Sequence, residues 1–241
     1  MSWSYGFIWT SVVALVATLV TFLLGWDGLA IGILSAWTAF VLLVVMTRGM
    51  RWTSGLTYLS AVALLGGVGA QLAGLESIRN WFLLAWAILL LPTVIGLFSH
   101  PMRTPAWGLF AGFWGGVGVM WLIVLQILVV SGVLGGHVYS EWAAWPLAAI
   151  GIWLGVASCL GFGCEEFPNW VDGLGVLAGL GLIGISVSTW TGASGDVTRA
   201  VGLFAAIAYV AWAVAFGRML WGTTEVTHRF MGRLDSVRGY V

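Results

Sequence analysis

Cys164-Glu165-Glu166 is the one place in this chain where a thiol and two carboxylates adjoin. Thiolate, carboxylate and imidazole within reach of one another can bind a divalent metal. His100 and Arg103 stand in another polar segment that the order of apolar runs places on the same membrane face as Glu165 and Glu166, together with Arg48, Arg51 and His228. The simpler reading of this polar cytoplasmic face is a solvated acidic loop that balances nearby arginines.

Other chemistries are limited by what the chain lacks. It has no lysine, which excludes a retinal Schiff base, a lysine nucleophile and a phosphate-loop lysine. His100, His137 and His228 all fall at the ends of apolar runs or in the tail, where two imidazoles cannot sandwich a haem within the bilayer. Gly192-Ala193-Ser194-Gly195 looks like the serine motif of rhomboid intramembrane proteases. That family pairs its serine with a histidine on a later membrane helix, and here no apolar run follows, so a helix N-cap is the better reading of Ser194. The Glu165-Glu166 pair is similar to the paired glutamates of CAAX-type membrane proteases, whose histidines on later helices also have no counterpart.

Two sets of residues inside the apolar runs remain. Trp86, Trp114, Trp153 and Trp212 carry flat rings that could stack against a quinone, carotenoid or chlorin, or simply pack between helices. Gln71 and Gln126 are polar without charge; they either line a pathway or hydrogen-bond across helices.

The elements that position these residues follow from the distribution of charge. Only nine arginines and nine carboxylates occur in 241 residues, at or beyond the ends of long apolar runs. A charge near the bilayer centre costs a few kcal/mol on insertion scales, so lipid is the solvent of this chain. Hydrophobic residues make up 61% and charged residues 7%, against ~45–50% and ~25% in soluble domains. With zero net charge there is no basic surface for nucleic acid.

Eight apolar runs lie between polar breaks: 6–25, 29–46, 56–74, 81–98, 107–134, 145–163, 170–190 and 200–220. Each is long enough to span a bilayer as a helix, which predicts an all-α polytopic membrane protein. The fifth run must tilt or leave the membrane from Ser131 onward, and Pro92 should kink the fourth. Seven arginines fall on the side that holds both termini and two, Arg79 and Arg199, on the other. By the positive-inside rule both termini are cytoplasmic, in a multi-pass protein of the cell membrane.

A weak echo between Arg51-Trp52-Thr53-Ser54-Gly55-Leu56 and Asn169-Trp170-Val171-Asp172-Gly173-Leu174 suggests two parallel four-helix halves, residues 1–106 and 107–222, followed by a polar cytoplasmic tail, 223–241. Glycines at four-residue spacing, Gly112 and Gly116, Gly151 and Gly155, Gly175 and Gly179, mark faces where helices approach closely. Together these features point to a non-catalytic membrane subunit or scaffold. It would pack with other membrane proteins or copies of itself and hold lipid or a lipophilic cofactor between helices. A channel or facilitator for a small neutral solute, with Gln71 and Gln126 on its path, is the alternative.

Overall fold

Long apolar runs become long helices because, with no water in the hydrocarbon, every backbone N–H and C=O must be satisfied within its own segment. A computed structural model describes residues 13, 16–18, 20–21, 25, 50–98, 105–162 and 168–238, with side chains at all of these except 50–52, 95–98, 105–106, 109 and 222–238. The chain divides into two units, Met1–Thr47 and Arg48–Val241. In the first, residues 13, 16–18 and 20–21 are helical, and the Thr21 hydroxyl donates to the Ala17 carbonyl at 2.8 Å. The second run, 29–46, lies outside the described residues.

The second unit holds six helices: α1 (Met50–Leu72), α2 (Glu76–Phe98), α3 (Pro105–Val130), α4 (Gly136–Gly161), α5 (Asn169–Trp190) and α6 (Gly195–Arg238). Each contains an apolar stretch of 19 to 27 residues, and about 20 suffice to cross a ~30 Å hydrocarbon core. This is the all-helical architecture of a polytopic membrane protein, with six helices of spanning length among the described residues. Each packs on the helices before and after it, and α6 returns to α1, so the six close into a ring.

Helix starts differ from the apolar runs in a consistent way. α1 begins six residues before Leu56, α2 five before Trp81, and α4 nine before Trp145. The added turns carry polar groups that the helices themselves satisfy or expose to water. Ser54 Oγ donates to the Gly217 carbonyl of α6 at 2.6 Å, and His137 pairs with Glu141 at 3.7 Å on an exposed face. α3 stops at Val130, so the residues from Ser131 leave the helix. α6 continues to Arg238 through most of the segment read as a tail.

Three of the helices end on one shared device. α1, α3 and α5 are followed by Gly74, Gly132 and Gly192 at φ +71°, +73° and +66°. After each glycine the next N–H reaches back five residues to a helix carbonyl: Leu75 to Ala70, Val133 to Leu128 and Ala193 to Ser188, at 2.9 to 3.0 Å. Only glycine enters this left-handed conformation without a Cβ penalty, and the paired back-bonds satisfy carbonyls that the helix end would otherwise leave bare. All three caps lie at the same end of the antiparallel array, hereafter the capped end.

Glycine also sets the seams. Gly151 and Gly155 of α4 face Gly179 of α5: a Cβ on Gly151 would lie 2.7 Å from the Gly179 carbonyl oxygen, and one on Gly179 2.6 Å from that of Gly151. Two of the three glycine motifs thus pack on each other, backbone to backbone. The third does not behave as expected, since a Cβ on Gly116 would meet nothing within 4 Å. Exposed tryptophans near the ends of the apolar stretches, among them Trp107, Trp170, Trp190 and Trp221, stand where headgroups would receive an amphipathic ring.

Candidate functional site

Near the capped end, each glutamine is tied to the following helix. Arg79 Nη1 of α2 donates to Gln71 Oε1 of α1 at 2.5 Å, and its Nε and Nη2 donate to Asn80 Oδ1 at 3.1 and 3.0 Å. Gln126 of α3 is 1% exposed and its Nε2 donates to the Tyr139 hydroxyl of α4. Its Oε1 is buried without a partner. Gln71 is exposed, so the two glutamines sit at different depths on different seams.

A second polar seam joins α1, α2 and α6 through hydroxyls. Thr57 meets Thr93 at 3.2 Å, Ser60 meets the Tyr209 hydroxyl at 2.7 Å, and Ser54 reaches α6 as described. Each α1 serine or threonine on this face is buried. Thr57 and Ser60 also donate to carbonyls of their own helix, at 2.7 Å each. Such bonds between membrane helices contribute about 0.6 kcal/mol each on average. Ser54, Ser60 and Tyr209 were not among the residues singled out in the sequence, although Thr53, Thr57 and Ser60 form a stripe at i, i+4 and i+7 that a helical reading of 50–55 would have exposed.

The four tryptophans do not share one wall. Trp86, Trp153 and Trp212 are 4%, 2% and 2% exposed and are packed by protein, whereas Trp114 is 48% exposed on the outer face of α3. Trp86 meets Tyr209 edge-on at 5.7 Å, and Tyr209, Trp212 and Phe216 continue the aromatic column at 5.8 and 5.0 Å, the last pair stacked at 9°. Trp153 lies over Gly115 of α3, which has no side chain to obstruct it.

Between α2 and α3 the packing opens into a groove of about 730 Å³, lined by Leu91, Val94, Gly112, Phe113, Gly116, Val117, Met120, Trp121 and Val124. It is a shallow groove on the surface, not an enclosed cavity. The lining is apolar and includes two glycines of α3 and the rings of Phe113 and Trp121. Gly116, read with Gly112 in the sequence as a helix contact, instead borders this groove, and a Cβ there would meet nothing within 4 Å.

Asp172 stands in the first turn of α5 and is 3% exposed; Oδ2 is buried and unpartnered. In the sequence it stands among the few polar groups within the apolar runs, at the start of the seventh. Ser194 directly precedes α6, and its carbonyl accepts the Thr198 N–H at 3.1 Å. Cys159 is a free, exposed thiol. His100, Arg103, Cys164, Glu165 and Glu166 lie outside the described residues, and of His228 only the helical backbone is described. Among the described residues, no three His, Cys, Asp or Glu side chains gather as a metal site would require. Compared with protein-family models, curated proteins and solved structures, the chain matches none.

Proposed function

We propose that this chain is a non-catalytic integral membrane subunit that holds a lipophilic molecule, a lipid tail or a flat cofactor of the quinone, carotenoid or chlorin kind, in the groove between α2 and α3. The observation that carries the reading is the contrast between glycine motifs. Gly151 and Gly179 are covered by each other's backbone across the α4–α5 seam, while a Cβ at Gly116, on the lining of the groove, would meet nothing within 4 Å. In a bilayer an apolar groove gains nothing from the hydrophobic effect, because lipid tails are as apolar as the groove. Selectivity then rests on van der Waals fit, and a lining of glycines and aromatic rings fits a flat or slender molecule better than a branched side chain.

The wider frame of the proposal is eight spans in two parallel halves, 1–106 and 107–222, with residues 223–241 and both termini cytoplasmic. The subunit sits among other membrane proteins or copies of itself in the cell membrane. A channel for a small neutral solute is less well supported, because Gln71 and Gln126 spend their side chains on Arg79 and Tyr139.

The test is mass spectrometry of lipophiles retained by the full chain after purification in nanodiscs, with Gly116→Leu as the perturbation and Gly69→Leu as control. A Cβ at either glycine meets nothing within 4 Å, so both variants should fold. A molecule enriched over bulk lipid and lost in Gly116→Leu alone supports the reading. Retention unchanged by Gly116→Leu, or no enrichment at all, overturns it.

A further inference from the structure

Asp172 puts a carboxylate where neither the groove nor the glutamines explain it. Its neighbour is backbone: a Cβ added at Gly161 of α4 would lie 2.5 Å from Oδ1 and 3.0 Å from Oδ2. α4 ends at this point, with Phe162 turned away at φ −54° and ψ 123°. The last carbonyls of a helix have no helical N–H to accept, and they give its C-terminus a partial negative charge. An anionic oxygen in the first turn of α5 therefore rests against the negative end of α4, and among the described residues Oδ2 has no hydrogen-bond donor.

More oxygen lies along the same seam. One turn inward, the Ser158 hydroxyl of α4 occupies the space beside Gly175 of α5, and a Cβ at Gly175 would overlap it. The indole Nε1 of Trp212 in α6 borders the same point, 2.9 Å from that Cβ position. Among the described residues no cationic side chain closes on the carboxylate. Arg218 of α6 is exposed and lies within electrostatic reach of Tyr58 of α1, while His137, on α4, is at the opposite, capped end.

A carboxylate beside the end of a helix, with a hydroxyl one turn further along the seam, offers the kind of hard oxygen donors with which membrane proteins hold a dehydrated alkali cation. We propose that Asp172 is the anionic ligand of a monovalent-cation site, of the Na⁺ class, between the end of α4 and the start of α5. One buried negative charge calls for one positive charge, which selects a monovalent ion over a divalent one. Gly161 and Gly175 are the structural condition for the site, since any Cβ there would displace the carboxylate or the hydroxyl.

Binding of ²²Na⁺ to the purified full chain in choline chloride, with displacement by unlabelled ions, tests the site in the native sequence. Saturable binding displaced by Na⁺ and not by equal choline is expected, along with a melting temperature that rises with NaCl at constant ionic strength. Asp172→Asn should abolish both effects. Ser158→Ala should raise the half-saturating Na⁺ concentration about tenfold while leaving the melting temperature in choline close to that of the wild type, which keeps the test open should Asp172→Asn fail to fold. No saturable ²²Na⁺ binding, displacement by Ca²⁺ at lower concentration than Na⁺, stabilisation by acid alone, or a Na⁺ response that survives Asp172→Asn would each overturn the proposal.

Discussion

Replacing Gly179 by alanine should loosen the α4–α5 seam, and the structure sets the size of the effect. The new methyl carbon would stand 2.6 Å from the Gly151 carbonyl oxygen and 2.8 Å from the Gly155 nitrogen. Both obstacles are backbone, so no side chain can swing aside. Ordinary contact begins near 3.4 Å, and the helices must part by the difference of about 0.8 Å, which forfeits a large share of the dispersion energy along the seam. Overpacking of this kind costs about 1–3 kcal/mol. Against it stands the helix-propensity gain of alanine over glycine, at most about 1 kcal/mol. Gly202→Ala in α6 collects the same gain where a Cβ meets nothing within 4 Å, so the two variants should differ by about 1–3 kcal/mol. Reversible unfolding in bicelles, followed through tryptophan fluorescence, measures that difference. Equal stabilities for Gly179→Ala and Gly202→Ala would refute the backbone-on-backbone seam.

Other consequences are as specific. Gly132→Ala should lower stability by about 1–2 kcal/mol, because alanine resists the left-handed conformation that Gly132 holds at φ +73°; Gly136→Ala, at the first residue of α4 and clear of any neighbour, should not, and the same unfolding assay compares them. Tyr209→Phe and Ser60→Ala should each cost about 0.5–1 kcal/mol, and the double variant about the same as either single one, since both remove the one 2.7 Å bond. A double-mutant cycle reads the coupling, and fully additive losses would deny the bond. Gln126→Leu combined with Tyr139→Phe should leave stability within about 1 kcal/mol of the wild type, because both partners of the bond and the unpartnered Oε1 disappear together; Tyr139→Phe alone, which strands the Gln126 amide, should cost more.

The class of fold was legible because hydropathy and charge placement are direct readouts of the solvent. All six described helices grow from apolar runs identified in the sequence. Their starts were set too far along because Ser54 and Tyr139 look like loop residues when their partners, Gly217 and Gln126, are not yet in view. Which face of each helix points inward was much less legible. In water the buried face is the apolar one, but in lipid both faces are apolar, and the sequence period that normally separates them fades. Hence Trp114 and Trp153 read alike as intramembrane tryptophans, though one faces outward and the other is enclosed. Glycine spacing has the same ambiguity. It shows where a helix can be approached, not whether a helix or a lipid does the approaching, which is why Gly151 meets the backbone of α5 whereas Gly116 meets nothing. Asp172 was legible as a polar group at the start of the seventh run, but its enclosure was not, because Gly161 arrives from α4.

Labelling of single cysteines with a membrane-impermeant maleimide tests most directly whether these helices cross the lipid in the order the ring requires. Cysteines at Gly74, Ser131 and Ser194, placed in a background with Cys159 and Cys164 changed to serine, should all react from the same face, and a cysteine at Pro168 only from the other. Reaction of Pro168 together with Ser131, or of Ser131 and Ser194 from opposite faces, would contradict the alternating crossings on which the seams, the groove and the ion site depend.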